Sequence, residues 1–355
     1  MNAHLYGQHL REKAQQSGVE FVQAEFVGAD WKDSKLVAAR VKKLQKNGSD
    51  AADVKIATDT IVNASGPFLQ ETHRRICGAQ SAKKLPVSNE LHAKISFVVP
   101  PSIKGPTVYS ERVASEPWRA LPLGEQLGAH APMVILSDAI PLPGIGELDL
   151  DDDEHTIVMQ PHLRKTLKGL LPAGLHFRPY GKDAILALWE FMHTESNITE
   201  PPSTDLDPLF EPLYPEVVQL GLARLVPDLA AVVGKVRSHV DGGYYLKAVD
   251  KLPVIGPADS ENLPGVFICG GLGGQGIMGS FVRSNIFKKN NNLPIKQAAG
   301  ELLAQHVSQS APLPSYASIL NPERFLDPAY VASIDASISE RSSTLGSLRA
   351  NTAAS

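Results

Sequence analysis

The segment Val266-Phe-Ile-Cys-Gly-Gly-Leu-Gly-Gly-Gln-Gly-Ile-Met-Gly279 constrains this chain more than any other. An apolar strand, Val266–Cys269, runs into a loop containing Gly271-x-Gly273-x-x-Gly276, and a helix is expected to start around Gln275–Ile277. Glycines let a backbone approach a ligand closely, and a helix N-terminus offers N–H groups and about half a positive charge. Formally this is the dinucleotide fingerprint in its strand–loop–helix setting. Its position argues against the ordinary reading. Such a fingerprint opens a dinucleotide domain, yet only residues 277–355 follow, much of them polar and without a second βαβ unit. The pattern alone leaves open a nicotinamide site or a purely structural turn.

Composition narrows the field. A chain of 355 residues has room for two domains, and 43% hydrophobic with 20% charged residues excludes a fully disordered polymer. A formal charge of −4 argues against a broad nucleic-acid or anionic-membrane surface. No stretch approaches the roughly 18 apolar residues needed to span a bilayer. Cys77 and Cys269 lie far apart with no C-x-x-C and no His/Cys spacing, so neither a disulfide scaffold nor a structural zinc site is expected. A reducing compartment follows, and a cytoplasmic location is expected.

Along the chain, Tyr6, Leu10 and Ala14 give Asn2–Gln16 one face of an amphipathic helix, with Gly18 as its stop. Val19–Val27 reads as a strand. Leu36–Leu44 alternates, Asn47-Gly48 is a hairpin signal, and Val54–Ala57 would pair back. Thr60–Ala64 is short and β-branched and breaks at Ser65-Gly66-Pro67. Further strands are expected at His92–Val99, Met133–Ser137 and Ile185–Glu190, separated by Pro- and Gly-rich connections, which fits an antiparallel sheet packed on one face. Leu206–Leu229 reads as a Pro-punctuated helical cover, and Val236–Tyr245 leads back toward the glycine loop.

Four motifs in order carry a family resemblance over roughly Met1–Val307. Thr60-Ile-Val-Asn-Ala-Ser-Gly-Pro67 looks like a "VVNAAGP" strand-loop. Leu85-Pro-Val-Ser-Asn-Glu-Leu-His-Ala-Lys94 resembles the start of a substrate domain. Asp241-Gly-Gly-Tyr-Tyr-Leu-Lys-Ala-Val-Asp-Lys-Leu-Pro-Val-Ile-Gly-Pro257 is similar to a return segment reading "GGYYxKTxENxPLIGP". The glycine loop follows in place. Together they resemble the FAD-dependent oxidoreductases of the D-amino-acid oxidase superfamily.

The resemblance implies an enzyme that takes a hydride equivalent from the carbon of a C–N bond, in an amine or amino acid, onto flavin N5. Negative charge then develops at N1–C2=O of the ring, and the loop Gly271–Met278 is where the family aims donors at it. It thereby implies Gly271, Gly273, Gly274, Gln275, Gly276, Ile277 and Met278 as cofactor-binding residues. Ala64 and Gly66 match positions near the pyrophosphate and ribityl chain, and Val27, ending the "EFV" strand, one whose backbone contacts adenine. Tyr245 and Lys247 lie in the return strand that passes the flavin face, where Lys247 would bind a carboxylate as a point charge. Glu90, His92 and Trp189 sit in substrate-domain strands; His92 reads as an acid or base, or as a satisfied sheet histidine, and Trp189 as core. The "KTxEN" threonine and glutamate are Ala248 and Asp250 here. The position of a covalent flavin-linking cysteine is matched by Gly243, so FAD is expected to be held non-covalently. Cys269 reads as a buried small hydrophobe.

The fold expected from this resemblance is α/β (α+β overall), an incomplete FAD/NAD(P)-binding Rossmann-like domain plus an antiparallel-sheet substrate domain. The boundaries are 1–82 for the first FAD-binding part, 83–238 for the substrate domain, 239–307 for the returning FAD-binding part and 308–355 for a tail. The family opens with a G-x-G-x-x-G unit; the first part of this chain has none, so an N-terminally truncated chain is expected. Phe281–Lys296 interrupts what the family writes as one helix, and 11 of these residues are Asn, Lys, Ile or Phe, whose codons are A/T-rich, so a retained intron is expected there. A small-molecule substrate is the expected partner. The alternative is a non-catalytic fragment or partner-binding remnant of such an enzyme.

Overall fold

The computed structural model describes residues 3–43, 53–78, 85–103, 133–141, 170–189, 204–206, 210, 212–276 and 299–336. Its strands run β1 (Ala24–Lys32), β2 (Lys35–Lys43), β3 (Asp53–Ala57), β4 (Ile61–Asn63), β5 (Val87–Val98), β6 (Val134–Ile135), β7 (Ile140–Pro141), β8 (Leu170–Leu171), β9 (His176–Tyr180), β10 (Ala184–Leu188), β11 (His239–Ala248), β12 (Val254–Pro257) and β13 (Val266–Gly270). The helices used below are α1 (Ala3–Gln16), α2 (Leu69–Cys77), α3 (Tyr214–Leu225) and α4 (Ala299–Ser308). The fold class is the one expected, mixed helix and sheet with antiparallel sheets. The chain divides into two compact units. Met1–Asn89, Glu200–Pro202 and Tyr245–Ser355 form the first; Glu90–Thr199 and Ser203–Tyr244 form the second.

In the first unit, β1, β2 and β3 make an antiparallel meander. Along β2, Leu36 and Ala38 are buried on either side of exposed Val37, and Val41 is buried further on, past half-buried Ala39 and Arg40. Asp33 and Ser34 turn the chain between β1 and β2 with φ of 48° and 60°, the left-handed pair that matches strand twist. A second sheet has the order β12-β13-β4, with β12 antiparallel and β4 parallel to β13. Leu69 and Ile76 of α2 pack with Val254, Val266, Ile268 and Leu246 to form its core. α2 is also tied to β1, where Trp31 Nε1 donates to the Ile76 carbonyl at 2.8 Å and Arg75 donates to the Phe26 carbonyl at 2.7 Å.

The second unit centres on an antiparallel sheet in which β10 pairs with β5 and β9, and β9 with β6. Ile95, Phe97, Phe177, Ile185 and Ala187 point to one face and meet Val217, Val218 and Leu222 of α3. Pro215 sits in the first turn of α3, where its fixed φ suits the helix and its missing N–H costs nothing. Gly221 has no alternative: a Cβ there would lie 2.5 Å from Trp189 Cζ3.

Three expectations need correction. The strand placed at Val19–Val27 starts only at Ala24, because Val19 and Phe21 are exposed and the strand is set by pairing with β2. Val27 therefore lies inside β1 rather than at its end. The helix expected over Leu206–Leu229 is shorter, Tyr214–Leu225, followed by a 3-10 turn at Pro227–Val232. Cys269 is only partly buried. The Asn47-Gly48 turn, the 281–296 segment and most of the tail beyond Asp335 lie outside the described residues.

Candidate functional site

The parallel pairing of β4 and β13 decides where the two expected loops emerge. Ile61 is opposite Val266 and Asn63 opposite Ile268, so both strands end at the same edge of their sheet. The Ala64–Gly66 loop leaves β4 there and the Gly271–Gly276 loop leaves β13 there. Ligands of parallel α/β sheets bind outside the carboxyl ends of the strands.

Each loop is shaped by its own chemistry. Asn63 is buried and polar at the end of an apolar strand, so its amide must be satisfied. Its Nδ2 donates to the Leu69 carbonyl at 2.9 Å, and its Oδ1 accepts from the Ser65 N–H at 3.3 Å and the Ser65 hydroxyl at 2.7 Å. Asn89 Nδ2 donates to the Pro67 carbonyl at 2.9 Å from outside the loop. Gly66 takes φ of 57° inside this frame.

The second loop turns at Gly271 and Gly273, with φ of 66° and 53°, a left-handed backbone that glycine adopts at no steric cost. A 3-10 turn at Gly273–Gln275 then leads into Gly276, and its cap at Leu272 carries no side-chain hydrogen bond. A Cβ on Gly274 would lie 2.8 Å from the Tyr245 ring, and one on Gly273 would lie 3.8 Å from Lys247 Cγ. Tyr245 and Lys247 share one face of β11, since strand side chains alternate, while Leu246 and Ala248 turn into the core. The Lys247 ammonium stands 5.8 Å from the Tyr245 ring centroid.

The structure thus brings Ala64, Gly66, Gly271, Gly273, Gly274 and Gly276 to one sheet edge, with Tyr245 and Lys247 against the second loop. A Cβ at Gly66 or Gly276 would meet no described atom within 4 Å, so the backbone there is open to close approach. These residues fit a flavin nucleotide. Gln275 contributes its backbone position. Ile277 and Met278 lie outside the described residues. Val27 sits in β1 at a register shift between Phe26 and Gly28, a bulge that turns one residue out of the ladder. His92 belongs to the second unit, where its side chain is buried in β5 with Nε2 3.4 Å from Glu90 Oε2. Trp189 is core there, its Nε1 donating to the Pro172 carbonyl at 2.9 Å.

Sequence reasoning missed the frame around the loops. A buried amide ending an apolar run was a readable signal for Asn63. Nothing local marked Asp250, which the "KTxEN" comparison treats only as a substitution. Its carboxylate accepts two hydrogen bonds from Arg324, at 2.7 and 3.1 Å, and one from Tyr330 at 2.8 Å. Burial pushes the Asp250 carboxyl up, but Arg324, the Leu252 N–H and Tyr330 outweigh it and hold it below its usual range.

A Cys–His pair elsewhere carries no nucleophile. Cys77 Sγ lies 3.6 Å from His73 Nε2 on α2, but burial, reinforced by Asp259, pushes the thiol up to about 11. Burial also lowers His73, so no thiolate forms near neutrality. Among the described residues no group of three or more His, Cys, Asp or Glu could hold a metal ion, and no helix is long and apolar enough to cross a membrane.

No protein-family profile matches the chain, and no curated protein matches it. Solved structures do. L-proline dehydrogenase from P. horikoshii is 17% identical with a TM-score of 0.45, the match covering 85% of this chain and 54% of that one. L-Amino acid deaminase from Proteus myxofaciens is 15% identical with a TM-score of 0.46, covering 89% and 59%. A modified fructosyl peptide oxidase from Aspergillus nidulans is 12% identical with a TM-score of 0.47, covering 89% and 56%. The chain spans little more than half the length of these structures. The reading of its chemistry rests on its own motifs and geometry.

Proposed function

We propose that the chain is an FAD-dependent oxidoreductase that oxidises the C–N bond of an amine or amino acid, with FAD held non-covalently. The observation that carries this reading is the convergence of two framed glycine loops on the carboxyl edge of parallel β4 and β13. The resemblance of those loops and of the return segment to the D-amino-acid oxidase superfamily supplies the cofactor. When bound, the flavin would accept the hydride equivalent from the substrate carbon.

In this reading Ala64 and Gly66 face the pyrophosphate and ribityl end, and the backbone of Val27 meets adenine. Gly271, Gly273, Gly274, Gln275 and Gly276 line the pyrimidine side of the ring, their small size allowing close backbone approach. Lys247 binds a substrate carboxylate as a compact point charge, and Tyr245 walls the same space. His92 is assigned to the substrate side by resemblance alone. The flavin domain takes residues 1–82 and 239–307, the substrate domain 83–238.

The visible absorption spectrum of the purified chain after incubation with FAD and gel filtration tests this. Retained bands at about 370 and about 450 nm, the flavin's own maxima, would support the reading. A colourless protein would favour the alternative, a non-catalytic fragment or partner-binding remnant. A sharper variant is Gly274→Val. Its side chain would press on the Tyr245 ring and fill the approach, so flavin occupancy should fall to less than about a tenth of the parent. Undiminished colour would mean that this loop does not contact the ring.

A further inference from the structure

We infer that Arg324 is a positioning residue for the glycine loop, acting through the carbonyl of Leu252. Arg324 lies in the 3-10 turn Pro322–Leu326, far along the chain from the site, yet it is buried. Its guanidinium grips the connector between β11 and β12. Nε donates to Asp250 Oδ2 at 2.7 Å, and Nη2 donates to Asp250 Oδ1 at 3.1 Å and to the Leu252 carbonyl at 3.3 Å. The Leu252 N–H in turn donates to Asp250 Oδ1 at 3.0 Å. Nη1 donates to the Asn321 carbonyl at 3.2 Å, which closes the turn on itself.

That connector runs beside the glycine loop, Val254 pairing with Gly270 across the β12–β13 ladder. A Cβ on Gly271 would lie 3.2 Å from Val254 Cγ2, 3.4 Å from the Val254 nitrogen and 3.6 Å from the Leu252 carbonyl oxygen. The Leu252 carbonyl therefore faces the space that a side chain on Gly271 would take, where the chain leaves β13 with positive φ. Guanidinium, carbonyl and loop are neighbours in that order. The same connector follows directly on Lys247 and Ala248, so β11 and the loop are indexed to one point.

The neighbouring side chain provides an internal contrast. Glu323 reaches the other end of β12, accepting from the Ser260 N–H at 2.8 Å, from the Ser260 hydroxyl, and from Asn321 Nδ2 at 3.1 Å. Ser260 lies beyond the end of β12, at the sheet edge opposite the loops. One turn thus fastens both connectors of β12, and only one of the two fastenings leads to the site. Arginine is required for it, because a planar fork serves Asp250 and two carbonyls at once, whereas lysine presents a point charge on a flexible stem.

The consequence for cofactor binding rests on the flavin reading; the mechanical claim does not. Hydrogen exchange of the full chain, read by mass spectrometry without added flavin, separates them. In Arg324→Lys the amides of Gly271–Gly276 should exchange on the order of tenfold faster, while those of Val266–Gly270 stay unchanged. Glu323→Gln should leave the loop within about twofold of the parent. Equal acceleration in both variants would mean that the C-terminal turn merely detaches, and an unchanged loop in Arg324→Lys would overturn the inference outright. Should Arg324→Lys fail to fold, Tyr330→Phe, which removes only the hydroxyl on Asp250, carries the same test with a smaller expected acceleration. A parallel FAD titration followed by absorbance completes the design. Weakened binding in Arg324→Lys supports both readings. A parent that binds no FAD but whose loop loosens in Arg324→Lys rejects the flavin reading and keeps the positioning role.

Discussion

The second unit packs its sheet by apolar interlock with the Tyr214 hydroxyl hydrogen-bonded inside it, whereas the first adds polar side-chain ties to the two loops that leave its β4–β13 sheet. In the second, Trp189 fills the space that Gly221 vacates, and the Tyr214 hydroxyl donates to the Ala93 carbonyl at 2.6 Å while accepting from the Trp189 N–H at 3.1 Å. In the first, Asn63 folds one loop and Arg324 braces the other from 74 residues beyond Asp250. Dispersion and burial are non-directional, so an apolar core tolerates small shifts. Hydrogen bonds to named atoms fix positions, which a loop that must present its backbone to a ligand requires. The contrast separates stability from placement.

The largest effect should come from the interlock. Trp189→Ala removes a fully buried aromatic side chain and should cost the second unit about 3–5 kcal/mol, seen as a lower urea midpoint for hydrogen exchange in β10. A loss below about 1 kcal/mol would mean that Gly221 and Leu175 collapse into the space, and the unit is less tightly interlocked than its packing implies.

Next comes the staple in the first loop. Asn63→Ala removes one of the donors on the Leu69 carbonyl and frees Ser65, and should cost about 1–2 kcal/mol in the first unit. Exchange at Ser65–Phe68 should rise more than the stability loss explains. A purely global effect, with loop and strand moving together, would erase the distinction between staple and core.

The smallest effect is in acid. The folded-state carboxyl of Asp250 lies below its ordinary value, so its stabilisation is fully present above the unfolded value of about 4 and is lost as pH falls through the folded one. Glu25 and Asp30 are lowered as well and share the acid limb of the first unit. The difference between the parent and Asp250→Asn, measured as urea midpoint against pH, should therefore shrink below about pH 4. Curves that stay parallel would show that Asp250 titrates alike folded and unfolded. His73 acts higher on the scale. Burial lowers it, so the unfolded chain takes up its proton first and stability falls as pH drops through about 6.5.

How much of this was legible follows from the same contrast. The strand into the glycine loop, the short β4 and the β2–β3 pairing were written in local patterns of period two and in glycine spacing. The covering helix was legible as apolar periodicity, though its ends were not, because Pro227 begins a 3-10 turn that continues the apolar pattern. The start of β1 misled because Val19 and Phe21 alternate without being buried. The frame of the site was the least legible part. Asp250, Arg324 and Tyr330 look like ordinary surface residues in their own neighbourhoods, and only the fold turns them into a cluster.

The sequence distance spanned by that cluster orders events at the ribosome. Asp250 and the glycine loop emerge well before Arg324, so a nascent chain carries the loop while its brace has yet to be synthesised. The shape of the loop is thus a property that Arg324 completes rather than one that the segment bearing the glycines holds alone.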